Sequence, residues 1–223
     1  MTTTDETRFQ AQQVQERLSG HHTQDVEAWE HRLSDMLAEQ ARIVEAGDWT
    51  TGRADLLAVV GRARRETIHC AVLAWLLNPV GAHGLGGRFL AALLRHLSVD
   101  APSGLARTRC QTEVVGELSR ADLIVQAPDF LIVIEAKVDA IERPQQCADL
   151  RQDWQDDKGQ VVFVFLTPTG RAPVTDDADA FVHLSFVEVR AMLEAEVDAL
   201  GGRRTEGLPA VDTYLQTLRK EFR

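Results

Sequence analysis

Apolar residues recur at three- and four-residue intervals among charges near the start of the chain, at Val26, Trp29, Leu33, Met36, Leu37 and Ile43. That spacing predicts helices over 5–18 and 24–46, an acidic helical pair ahead of the core. The run E-T-I-H-C-A-V-L-A-W-L-L predicts a buried helix over 66–77. It stops at Asn78-Pro79, because proline cannot continue the helical hydrogen-bond ladder. A glycine-rich turn, G-A-H-G-L-G-G, leads to another helix over 88–97 and then to a loop holding Pro102 and Gly104. Beyond it the period changes from helical to extended, predicting strands at 109–116, 121–126 and 130–137. A helix over 142–156 follows, then the apolar strand V-V-F-V-F-L ending at Thr167-Pro168. A short strand at 181–184 and helices at 186–200 and 208–220 complete the pattern. Helices, three strands, a helix, two strands and helices in that order imply an α/β fold, a mixed sheet covered by helices.

The 223 residues are enough for one substantial core with an appendage, and 44% hydrophobic with 26% charged residues is an ordinary soluble composition. We therefore divide the chain into an acidic helical extension, 1–50, and a catalytic-size domain, 51–223. The apolar runs 130–134 and 161–166 are too short to cross a bilayer and read as buried strands. The N-terminus, M-T-T-T-D-E, lacks the basic and apolar regions of a secretory signal, so a cytoplasmic location is expected. Cys70, Cys110 and Cys147 have no paired spacing and read as reduced core residues rather than a disulfide or zinc set.

A net charge of −10 at first argues against a nucleic-acid partner. Its distribution changes the picture: residues 1–50 carry −6, 51–121 carry +4, 122–200 carry −10 and 201–223 carry +2. The basic parts hold Arg62, Arg64 and Arg65, then Arg107 and Arg109, then Arg203 and Arg204, which suit phosphates or simply form solvated faces. Acidity concentrated in 122–200 is the kind that a bound divalent cation offsets.

The segment R-A-D-L-I-V-Q-A-P-D-F-L-I-V-I-E-A-K, residues 120–137, breaks a local rule. Two apolar strands carry charge where burial calls for hydrocarbon, and an unpaired ion there costs several kcal/mol, so such groups are paired or bind metal. Glu135 and Lys137, two apart on a strand, project from one face. A turn at Pro128-Asp129 that pairs Ala127 with Phe130 places Asp122 opposite Glu135, and a one-residue slip separates them. Glu-x-Lys alone carries almost no information; the context supplies the specificity. The alternative is an ion pair of Lys137 with Asp122 or Glu135 that only stabilises the sheet.

Several spaced motifs appear in one order: E-T-I-H-C-A-V-L-A-W-L-L-N-P, A-H-G-L-G, R-A-D-L-I-V, V-I-E-A-K, A-I-E-R-P-Q-Q, F-L-T-P-T-G and V-D-T-Y-L. Over most of 66–220 the chain resembles the PD-(D/E)xK nuclease superfamily, in particular a bacterial family with a glutamate on a helix before the core. The resemblance implies a restriction-endonuclease-like central mixed sheet flanked by helices. It assigns a metal-binding aspartate to Asp122, the second acidic ligand to Glu135 and the catalytic lysine to Lys137. Carboxylate oxygens suit magnesium or manganese. Lys137 would orient water or stabilise the transition state, its ordinary pKa being too high for a general base. By the same resemblance Glu66 is a third metal ligand or a group behind the ligands, against a helix-start charge. Gln146 orients water or phosphate, against a surface amide.

Leu150 stands where the family has a tyrosine, which removes a site contact. Glu113 is a weaker candidate behind the ligands, with a salt bridge as its alternative. His69 and His83 lack companions at zinc spacing, and His83 suits a turn or helix start. Thr167-Pro168-Thr169-Gly170 lacks the glycines and lysine of a phosphate loop. The leading expectation is a magnesium-dependent nuclease acting on DNA, with RNA as alternative substrate and defence against foreign nucleic acid as the setting. The competitor is an inactive nuclease-fold binding or scaffolding module. The acidic N-terminal helices suggest a homodimer or protein partner, or a flank packed on the domain.

Overall fold

The computed structural model describes residues 3–48, 55–100, 104–155, 159–175, 177–203 and 205–223. By internal contacts the chain forms two units, Met1–Gly52 and Arg53–Arg223. The first contains α1, Thr3–Glu45, one continuous 43-residue helix. This corrects the expectation of a helical pair divided at Ser19-Gly20-His21-His22-Thr23. An isolated glycine costs a helix only about 1 kcal/mol relative to alanine. A break would instead create two new ends, each with four backbone groups lacking intrahelical partners.

In the second unit the elements follow the hydrophobic pattern closely. They are α3 Glu66–Leu77, α4 Arg88–His96, β1 Arg109–Val115, β2 Arg120–Gln126 and β3 Phe130–Ala136. Then come α5 Gln146–Trp154, β4 Gln160–Thr167, β5 Phe181–Ser185, α6 Phe186–Asp198 and α7 Leu208–Glu221. The four-residue α2, Leu56–Val59, was not predicted, being too short to show a period. Its start is fixed by Asp55, whose Oδ1 accepts from Ala58 N at 2.8 Å and Thr217 Oγ1 at 2.9 Å.

The largest boundary difference is α5, which starts at 146 rather than 142. Pro144 disfavours helical geometry at Arg143, and Gln145 takes a left-handed conformation at φ 63°.

The sheet order is β1-β2-β3-β4-β5. β1, β2 and β3 are antiparallel neighbours, whereas β4 and β5 run parallel to β3. The crossover from β3 to β4 carries α5. Every position of β3 is buried, as expected of a strand covered on both faces.

Leu123, Val125, Ile132 and Ile134 pack into a core with residues of α3, α4, α6 and α7. Ile124, Leu131, Val133 and Phe165 pack with Cys147 and Leu150 of α5. Asp122, Glu135 and Lys137 alternate onto this second face. They sit where β2 begins and β3 ends, near the starts of α3 and α5. Among the described residues, no helix is long and apolar enough to cross a membrane.

Candidate active site

The hairpin joining β2 and β3 closes as the sequence demanded, with Ala127 N donating to Phe130 O at 2.9 Å. Its ladder runs to Leu123↔Ile134, so the same register carries Asp122 opposite Glu135. At that point the ladder stops and a side chain takes over: Ala136 N donates to Asp122 Oδ2 at 2.9 Å. On the other side, the β1–β2 ladder also skips this level, between Thr112↔Leu123 and Val114↔Ala121. The skipped residue, Glu113, has φ 53°. Asp122 thus lies where regular pairing gives way on both sides, which leaves room for a carboxylate inside a sheet.

Glu135 and Lys137 are both buried. Lys137 Nζ and Gln146 Nε2 both donate to Glu135 Oε1. Lys137 Nζ also lies 3.3 Å from Ala136 O. The Gln146 side chain is itself oriented, its Oε1 accepting from Arg143 N at 3.1 Å. These bonds all fall on one oxygen. Glu135 Oε2 is buried with no hydrogen-bond partner, and a buried carboxylate oxygen in that state is suited to take an ion or a solvent molecule.

Electrostatics agree with that reading. Burial, reinforced by the Asp122 charge and opposed by Lys137, raises the Glu135 pKa to about 7. Burial also raises Asp122, against the lowering effect of the Ala136 N–H. Lys137 is held above its ordinary value: burial works against the charge, but the carboxylates of Glu135, Asp122 and Glu66 outweigh it. A nearby lysine therefore does not neutralise the cost of two desolvated carboxylates.

Glu66 reaches the same place from α3. Its Oε1 accepts from Val138 N at 2.7 Å and from Ala140 N at 3.3 Å, fastening the loop after β3. Glu66, Asp122, Glu135, Lys137 and Gln146 all line one cleft of about 510 Å³, along with Ser119, Arg120 and Arg143. All five residues singled out from the sequence are thus brought together.

Glu113 instead pairs with Arg120 at 3.1 Å. Leu150 is buried in the α5-side core and does not line the cleft. His69 bonds Tyr214 Oη at 3.0 Å and Ala63 O at 2.8 Å, and burial lowers its pKa to about 4. His83 lies in a turn, Nε2 at 2.9 Å from Asn78 O and Nδ1 accepting from Leu85 N. All three cysteines are free.

The sequence reading missed the contributors around this group. Arg120 and Arg143 add positive charge to the cleft wall. Asp153 on α5 accepts from Leu118 N, Ser119 N and Ser119 Oγ, securing the β1–β2 turn at the cleft edge. The buried Glu142 pairs with Arg171 and accepts from Val174 N at 2.8 Å, which ties the loop after β4 to the start of α5. The motif A-I-E-R-P-Q-Q contained Glu142 and Arg143, but nothing in one dimension shows their partners.

A divalent ion fits these residues. Among the described residues no three acidic, histidine or cysteine side chains form a ready cage. Magnesium, however, is usually held by one or two carboxylates and keeps several waters. Asp122 and the unpartnered Glu135 Oε2 supply hard oxygen donors of that kind.

Fold and cleft define an α/β protein with carboxylates and a lysine gathered at its strand ends. Residues 54–216 match the family model of the PD-(D/E)XK nuclease superfamily. The chain belongs to that superfamily and has its restriction-endonuclease-like fold, a mixed five-stranded sheet flanked by helices. No curated protein and no solved structure matches it.

Proposed function

We propose that the cleft hydrolyses phosphodiester bonds in nucleic acid, DNA ahead of RNA, with magnesium or manganese held by Asp122 and Glu135. The observation that carries this reading is the buried, unpartnered Glu135 Oε2 beside a second raised carboxylate. When bound, the ion supplies a Lewis acid that polarises the phosphate and eases loss of a water proton.

The chain's own residues do the positioning. Gln146 and Lys137 fix Glu135 through Oε1, so that its other oxygen points away from them. Lys137, kept charged by its neighbours, offers Nζ to an attacking water or to charge developing on phosphate oxygens. Glu66 has one oxygen committed to the backbone and the other for the ion or its water shell, as third ligand or supporting group. Arg120 and Arg143 offset the acidic cleft toward a polyanion.

We assign the chemistry to 51–223, with 1–50 as a helical extension. A cytoplasmic setting and a defensive role against foreign nucleic acid belong to the same proposal and rest on resemblance. The test is a panel of single- and double-stranded DNA and RNA incubated with magnesium or manganese. Wild type should cut at least one substrate, and Glu135→Ala and Lys137→Ala should not. Wild type as inert as both variants on every substrate would leave the fold as a binding or scaffolding module.

A further inference from the structure

The helix α1 presents a hydrophobic seam to solvent. From Val26 onward, Val26, Trp29, Leu33, Met36, Gln40 and Ile43 alternate by three and four residues, the a and d positions of a coiled-coil heptad. Trp29 is 68% and Met36 70% exposed, Leu33 and its neighbour Leu37 are each 56% exposed, and Val26 is exposed too; Ile43 is half-buried. One polar residue, Gln40, interrupts the seam, a device that selects one register at some cost in stability.

We infer that this seam joins a second copy of the chain as an antiparallel two-helix coiled coil centred between Leu33 and Met36. In that register Val26 lies opposite the partner's Ile43, Leu33 opposite the partner's Met36, and Trp29 opposite the partner's Gln40, so the indole N–H meets an amide.

The charges choose the orientation. The g positions flanking the seam are Asp25, Arg32 and Glu39, and the e positions are Glu30, Leu37 and Val44. Antiparallel packing sets g beside g, which brings Arg32 against the partner's Glu39 twice by symmetry. Parallel packing sets g beside the following e, which puts Asp25 against the partner's Glu30 twice and makes no attractive pair. Both groups of the antiparallel contact are already ordered at the seam edge. Arg32 lies over the Trp29 ring at 5.4 Å, and Glu39 is held by Arg42 at 2.7 and 2.8 Å.

The area approaches what a stable dimer needs. Two tryptophans and ten aliphatic side chains from Val26, Leu33, Met36, Leu37 and Ile43, partly exposed in one chain, bury together on the order of 1,000 Å², against about 1,200 Å² at the lower end of stable interfaces.

The inference is independent of the chemistry in the cleft and is tested on the full chain by sedimentation equilibrium at micromolar concentration. The expected mass is twice the 24.8 kDa of one chain, and Trp29→Glu should return it to one. Arg32→Glu and Glu39→Arg should each weaken self-association on the order of ten-fold. A mixture of the two should form heterodimers, because each repulsive pair becomes an attractive one. A wild-type monomer, or a dimer that survives Trp29→Glu, would overturn the interface. A mixture without heterodimer preference would overturn the antiparallel register.

Discussion

Glu135→Gln holds the most buried charge of the cleft in its neutral form without changing its shape. In the protein without metal, the Glu135 pKa rises from 4.5 to about 7, chiefly through burial and then through Asp122. A carboxyl group raised on folding contributes stability that is fully present below the unfolded value and is lost as pH rises through the folded value. The window therefore runs from about pH 4.5 to pH 7. At 1.36 kcal/mol per unit, the difference is on the order of 3 kcal/mol, and Glu135 is 1% exposed, so solvent screening takes little from it.

Other carboxylates move oppositely, among them Glu142 and Asp153, which their hydrogen bonds lower despite burial. The informative quantity is thus the difference between wild type and Glu135→Gln, in which those groups cancel. Urea unfolding with a chelator at pH 4.5, 6 and 7.5 should show the variant gaining about 3 kcal/mol on wild type across the series. Magnesium at pH 7.5 should then stabilise wild type, by ~2.7 kcal/mol at a hundred times its dissociation constant, and leave the variant unmoved. Parallel pH profiles for the two proteins would refute the electrostatic argument. An equal magnesium response would refute Glu135 as a ligand.

Lys137→Met keeps the aliphatic stem and removes the charge; single-turnover cleavage should fall by roughly 100-fold or more, while the circular dichroism spectrum is unchanged. Gln146→Ala frees Glu135 Oε1 from one of its two donors, and calorimetry should show metal affinity reduced about 10- to 100-fold with the fold intact. Leu150→Ala should lower unfolding free energy by about 2–5 kcal/mol yet leave metal affinity within two-fold of wild type. A loss of metal binding there would place Leu150 in the site rather than in the core.

Much of the architecture could be read from one dimension, because it depends on local periods and stops. The apolar runs on either side of the Pro128-Asp129 turn and the apolar 160–167 strand admit few arrangements, and the turn sets the β2–β3 register. The helix runs through 19–23 because local propensity, only about 1 kcal/mol for Gly20, is too weak to end a long helix. The start of α5 lies at 146 because Pro144 and the left-handed Gln145 stop the helix locally, while Glu142 is drawn into a buried pair with Arg171 of the loop after β4.

The sequence alone therefore set the order of elements from α3 to α7 and placed the β2–β3 turn, which follow from periodicity and stops. Charge inside apolar strands pointed to Asp122, Glu135 and Lys137, and family resemblance added Glu66 and Gln146 as candidates. Tertiary structure alone decided how the five divide their bonds. Lys137 and Gln146 share one oxygen of Glu135 and leave the other without a partner, Asp122 caps the end of a ladder, and Glu66 fastens the loop beyond β3. Tertiary structure also gave Leu150, which replaces a site contact of the family, a place in the core. Hydrogen-bond partners and desolvation depend on distances between segments far apart in the chain, which no local pattern encodes.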